Sequence, residues 1–93
     1  MPETYFDVRW PDGHEETCYS PSSVVADFFQ PATTYPLADF LARSEDALML
    51  ASERVRQKFG YSCSSAADQL QRIRQTAEQF SGQGAVTVLR IHS

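Results

Sequence analysis

Two cysteines, two histidines and a group of arginines are the side chains of this 93-residue sequence from which chemistry could be built. His14 and Cys18 are four apart on an alternating stretch, so they would share one face of a strand. Added to Cys63 and His92 they would make four metal ligands. That spacing fits no zinc template, in which ligands pair about two to four residues apart in both halves of the site. A free cysteine also serves commonly as a compact buried hydrophobe. No metal and no other cofactor is therefore expected, and Cys18 reads as a thiol in a hairpin core. Cys63 stands where the last long helix should begin, and unsatisfied amide donors there can lower a thiol's pKa. Arg54, Arg56 and Lys58 lie in the helical turn before it. These four residues form a candidate anion or thiol site, nucleophilic or redox-sensing. A nucleophile also needs an oriented base, and no histidine is near in sequence. A packed residue beside a helix cap, under Phe59 or Tyr61, is the preferred reading of Cys63.

Arg54, Arg56, Lys58, Arg72 and Arg74 hold five of the eight cationic side chains. They could receive a phosphate or an acidic surface, but helix ends and outward positions are also where a solvated face carries charge. Glu53, Asp68 and Glu78 offset them, and a nucleic-acid partner is not expected without a sustained basic excess. "CYSPSS" places Ser20, Ser22 and Ser23 beside a helix start, which capping explains without a ligand. Glycine-rich phosphate loops, paired catalytic carboxylates and nucleophile elbows are all missing from the sequence. No catalytic residue is assigned.

Behind these residues stand the elements that must position them. "TYFDVRWPDGHEETCYS" reads as a β-hairpin: Phe6, Val8 and Trp10 alternate with Asp7 and Arg9, and Pro11, Asp12 and Gly13 supply the turn. The return strand, His14 to Tyr19, is more polar and suits an edge. "SPSSVVADFFQP" predicts a short helix, capped by Ser20 and stopped by Pro31, and "ATTYP" a connector. A long helix is predicted from Pro36 to Phe59, with Leu37, Phe40, Leu41, Leu48, Ala51, Val55 and Phe59 on one stripe and Gly60 ending it. In "CSSAADQLQRIRQTAEQF", Ala66, Leu70, Ile73, Ala77 and Phe80 step by four and three, the seam of a helix with an antiparallel partner. Ser62 or Ser64 would cap it, and Gly82 and Gly84 would stop it. Most of that segment reads as scaffold.

"AVTVLRIHS" predicts the last strand. Under plain alternation Val86 and Val88 share one face and Leu89 and Ile91 the other, so both sides of the strand would be covered. The order ββ–α–α–α–β gives a single α+β domain over residues 1–93. Its three-stranded mixed sheet, hairpin plus C-terminal strand, would be packed on one face by a helical hairpin and a short helix. The first strand would lie in the centre with the last parallel to it. Tyr5 and Tyr19 would then join Leu89 and Ile91 on the outer face. Aromatic and aliphatic side chains gathered there make a candidate partner-binding patch, for another protein or a second copy of the chain.

Composition bounds the remaining possibilities. A net charge of −4 opposes attraction to nucleic acid or to an anionic membrane. No apolar run approaches the ~20 residues of a membrane-spanning helix. The stretch "MPETYFDVRW" lacks the pattern of a signal peptide, so a cytoplasmic protein with two free thiols is expected.

Several stretches taken together carry a resemblance: "VRWPDG" at 8–13, "CYSPS" at 18–22, "YPLADFL" at 35–41, "ASERVRQKFGYSCS" at 51–64 and "DQL" at 68–70. In that order they resemble a small bacterial family, the nitrogen starvation response proteins, over nearly the whole chain; "LRIHS" matches least well. The resemblance implies a setting and not a reaction: a gene cluster with a nitrilase, a radical SAM protein, an acetyltransferase and a flavoprotein, responding to nitrogen limitation. It brings no catalytic residues. The resulting expectation is a non-catalytic accessory protein of nitrilase-linked nitrogen assimilation, acting by self-association or by docking to a pathway enzyme. The alternative is a small enzyme or a ligand or redox sensor using Cys63 with Arg54 and Arg56.

Overall fold

The structure, a computed structural model, describes residues 3–60, 64–81 and 83–92. Two strands, β1 (Thr4–Arg9) and β2 (Glu15–Ser20), form the expected hairpin. Its turn closes as the sequence suggests: the Gly13 amide donates to the Trp10 carbonyl at 2.9 Å, with Gly13 at φ 89°. A 3₁₀ turn over Ser23–Asp27 follows, capped by Ser22, whose hydroxyl accepts the Val24 amide. The cap is therefore Ser22 and not Ser20, whose hydroxyl instead donates to the Ser22 carbonyl. Next come β3 (Thr33–Pro36), α1 (Leu37–Phe59), α2 (Ser64–Glu78) and β4 (Ala85–His92).

The sheet thus has four strands rather than three, in the order β2-β1-β4-β3. The segment expected to be a connector supplies the fourth. Thr33, Thr34 and Tyr35 suit a strand, and Pro36 is tolerated because β3 lies at an edge. The Thr34 and Thr87 hydroxyls are bonded across the pair at 2.8 Å. This strand also corrects the direction of the last one. Every pairing is antiparallel, including β1 with β4, so the sheet is not mixed. The reason is one added reversal: β3 carries the chain back along the sheet before the helical hairpin begins, so the hairpin delivers β4 running the opposite way. The first strand does lie between the second and the last.

One face of the sheet carries the core. Phe6, Val8 and Cys18 from the hairpin, Val86 and Val88 from β4, and Phe29 and Tyr35 meet Leu37, Phe40, Ala47 and Leu48 of α1 and Leu70, Ile73 and Ala77 of α2. Trp10 closes one end, stacked on Phe80 and edge-on to Phe40, with its indole N–H donated to Glu16 at 3.0 Å. The predicted stripe of α1 is buried at Leu37, Phe40, Leu48, Ala51 and Val55, whereas Phe59 is exposed beside Lys58. Gly60 ends α1 at φ 82°. Gly84 precedes β4 at φ 91°, and a side chain there would collide with Pro11 at 2.7 Å. Ser62 and Gly82, expected to cap and to stop α2, lie outside the described residues. Among the described residues no helix is long and apolar enough to cross a membrane.

Candidate functional site

Strand pairing lines up three rows of side chains across the face that carries no helix. Because Phe6 and Val8 point into the core, Tyr5, Asp7 and Arg9 point away from it. The registers set Tyr19, Tyr5 and His92 in one row, Thr17, Asp7 and Arg90 in the next, and Glu15, Arg9, Thr87 and Thr34 in the third.

The composition of these rows departs from expectation at β4. Val88 is opposite Val8, but Arg90 is opposite Asp7, so β4 holds one residue more than β1 at this point. That bulge, at Leu89, reverses the alternation beyond it. Ile91 comes opposite Phe6 and packs against the core, while Arg90 and His92 take the outer face. Of the four residues expected to share that face, Tyr5 and Tyr19 are together, with ring centroids 5.8 Å apart, but Ile91 is on the other side. Leu89 sits at the bulge, half-buried. The expected apolar outer layer is replaced by a polar one.

The middle and third rows satisfy themselves. Asp7 accepts from Thr17 at 2.7 Å and from the Arg90 guanidinium, and His92 Nε2 lies 3.4 Å from the same carboxylate. The Thr17 bond first, then Arg90 and His92, hold the Asp7 carboxyl below its usual range against the opposing effect of burial. Arg9 pairs with Glu15 at 3.0 Å and Thr34 with Thr87.

The first row adjoins a cleft of about 410 Å³, open to solvent, lined by Glu3, Tyr5, Tyr19, Ser65, Asp68, Gln69 and Arg72. Tyr5 is edge-on to Tyr19 on one side and stacked on His92 on the other, and its hydroxyl is 3.4 Å from Glu3. The far wall is α2, on which Ser65, Asp68, Gln69 and Arg72 stand at i, i+3, i+4 and i+7 and so form one stripe. Gln69 fastens this wall to the sheet: its Oε1 accepts the Tyr19 amide of edge strand β2 at 2.9 Å. An outward amide that could template another strand is thereby covered. Gln69 is 6% exposed, and its Nε2, also buried, meets no partner among the described residues. Asp68 and Arg72 are in the acid-before-base order that favours an ion pair four apart, yet neither has a hydrogen bond or ion pair among the described residues.

The other candidate residues are more scattered. Cys63 lies outside the described residues. Arg56 is held by Glu53 at 2.9 Å, which raises the arginine's pKa and lowers the carboxyl's. Arg54 and Lys58 are exposed, and Lys58 stands over the Phe59 ring. Arg74 pairs with Glu45 of α1 at 3.2 Å, and Arg72 turns to the cleft. Cys18 is fully buried, and burial above all, with Glu16 and Asp7, pushes its thiol pKa up, away from reactivity. His14 sits in the turn, its amide bonded to Asp12, and does not join Cys18. The stripe Ser65, Asp68, Gln69 and Arg72 was legible as spacing but indistinguishable from a solvated helix face. Only the position of β2 gives it something to face.

Architecture and site define a small α+β fold: an antiparallel four-stranded sheet, backed on one side by a helical hairpin and, among the described residues, bare on the other, with a mixed-charge cleft at one end. The chain belongs to the family of nitrogen starvation-induced protein NitG, whose model matches residues 5–91, and its role falls within the response to nitrogen starvation. Neither the curated proteins nor the solved structures provide a match.

Proposed function

We propose that the chain is a non-catalytic accessory protein of the nitrogen-starvation response. It works by binding: it docks onto an enzyme of a nitrilase-linked assimilation pathway through the aromatic end of its sheet, around Tyr5, Tyr19 and the adjoining face of α2. The observation that carries this reading is the contrast within the uncovered face. Two of its rows have partners for their charges, whereas the Tyr5–Tyr19–His92 row borders a cleft in which Asp68 and Arg72 have none among the described residues. Aromatic rings beside an arginine are the side chains that dominate binding energies at protein interfaces. Self-association through a greasy sheet face is the weaker form of the proposal, since Ile91 packs against the core.

The test is size-exclusion co-elution of the purified chain with each enzyme of the gene setting, the nitrilase first, with light scattering on the chain alone. One enzyme is expected to be retained by the wild type and released by Tyr19→Glu and by the surface variant Arg72→Glu. Circular dichroism checks that both variants remain folded. No co-elution at tens of micromolar (weaker than the usual range for specific complexes), or equal retention of the variants, would overturn the reading.

A further inference from the structure

The cleft beside Tyr5 and Tyr19 carries, on a single helix face, charge of both signs that has no partner among the described residues. Asp68 and Arg72 are one turn apart, so their Cβ atoms are about 5–6 Å from each other, and both line the same space. A simple anion placed there would meet Asp68 and Glu3 as well as Arg72. A simple cation would meet Arg72. A molecule with a carboxylate and an ammonium on one carbon can span that separation and satisfy both groups at once. We infer that the cleft binds a small zwitterion of the free α-amino acid type, with its carboxylate on Arg72, its ammonium on Asp68 and its side chain against the Tyr5 and Tyr19 rings.

Two further observations support the same ligand. Gln69 is more than nine-tenths buried at the cleft, its Oε1 committed to the Tyr19 amide and its Nε2 without an acceptor among the described residues. Leaving such a donor unmet is unfavourable, and a turn of the Gln69 side chain toward the cleft would give it the ligand's carboxylate as acceptor. The aromatic wall is also suited to an ammonium group, because the negative faces of tyrosine rings attract cations. At about 410 Å³ the cleft has room for a free amino acid with its side chain. Within the docking role proposed above, on which this inference rests, an amino acid in the cleft would report nitrogen supply at the docking surface itself.

The test is a ¹H–¹⁵N NMR titration of the full chain with each of the twenty free amino acids. For every one that binds, the matching amino acid amide and N-acetyl amino acid, which lack one charge each, are titrated as well. At least one free amino acid should shift the Tyr5, Tyr19 and Gln69 signals saturably. The two capped analogues, and the variants Asp68→Asn and Arg72→Gln, should each bind at least about tenfold more weakly, the loss of one charge-assisted hydrogen bond. Both substitutions are at exposed positions, and unchanged spectra elsewhere confirm the fold. No saturable shift from any amino acid up to about 10 mM, a ligand concentration about ten times the millimolar range, overturns the inference. So does equal binding of the capped analogues, or of the two variants. If enzyme co-elution still depends on Tyr19 and Arg72 while every amino acid fails, the ligand class falls and the docking surface stands.

Discussion

Across the uncovered face of the sheet, the row nearest the hairpin turn and the row nearest the cleft both meet solvent and behave differently. Glu15, Arg9, Thr87 and Thr34 form a chain of paired groups, and the middle row of Thr17, Asp7 and Arg90 does the same around one carboxylate. In the Tyr19, Tyr5 and His92 row the rings pack on one another, and among the described residues the charges of Asp68 and Arg72 beside it on α2 are unanswered. A polar sheet face need not be covered when its groups pair with one another along the cross-strand ladder. The lesson is that exposure alone does not mark a working surface here; unsatisfied chemistry next to exposure does. Substitutions in the paired rows should therefore cost stability and leave binding intact, and substitutions around the cleft should do the reverse.

The largest effect is expected at Asp7. Its side chain is 13% exposed and it anchors Thr17, Arg90 and His92. Asp7→Ala should lower the unfolding free energy by about 2 kcal/mol, within the range for hydrogen bonds to a charged group, as read by urea denaturation. Ligand and partner binding measured on the folded variant should be unchanged. A loss of binding equal to that of Arg72→Glu would erase the distinction between the rows.

The same residue gives a pH signature. The folded chain holds Asp7 below its ordinary value of 3.8, so the unfolded chain takes up the proton first. Its contribution to stability is complete above that ordinary value and is lost as the pH falls through the lowered folded one. Asp7→Asn should therefore flatten the fall in stability below about pH 4 relative to wild type. Parallel acid limbs for the two proteins would show that the carboxylate is not held by its neighbours.

How much of this was visible in the residues differs from element to element. The helices announced themselves because Leu37, Phe40, Leu48 and Ala51, and then Ala66, Leu70, Ile73 and Ala77, repeat at helical spacing, and the hairpin did so through "WPDG". Strand β3 did not. Four residues ending in proline carry too little periodicity to separate a strand from a connector, and what makes them a strand is pairing with β4. Missing it reversed the direction of the last strand. The face assignment of Ile91 failed for a related reason: a bulge is a property of register against a partner, and plain alternation along "VTVLRIH" contains no sign of it. At the cleft, the spacing of Ser65, Asp68, Gln69 and Arg72 was present, but its meaning depends on the Tyr19 amide some fifty residues away.

Gln69 allows a sharper test of smaller size. Gln69→Leu removes the bond to the Tyr19 amide, and it also removes an amide group that is buried without a partner. The two changes oppose each other, each being about 1 kcal/mol, so the leucine variant should unfold within about 1 kcal/mol of wild type. Gln69→Ala keeps the loss and adds a cavity, and should be less stable than the leucine variant. Both should lose the saturable amino acid shift. A leucine variant destabilised as strongly as Asp7→Ala would mean that Gln69 serves the fold alone.

The smallest effect is expected in the row that most resembles an ordinary protein surface. Arg9 and Glu15 meet at 3.0 Å, but each side chain is 51% exposed, so water and salt screen their attraction and holding two long side chains in place costs entropy. Removing either should change stability by no more than about 0.5 kcal/mol, and a double-mutant cycle should give a coupling of that order that shrinks in high salt. The comparison between rows makes this small number informative. Arg72 is of the same residue type and also exposed, yet its replacement is expected to leave stability unchanged while weakening binding about tenfold, the share of a charge-assisted hydrogen bond. Were Arg9→Ala to weaken binding as much as Arg72→Gln, the working surface would extend across the whole uncovered face, and the pairing of its charges would be no guide to where a ligand sits.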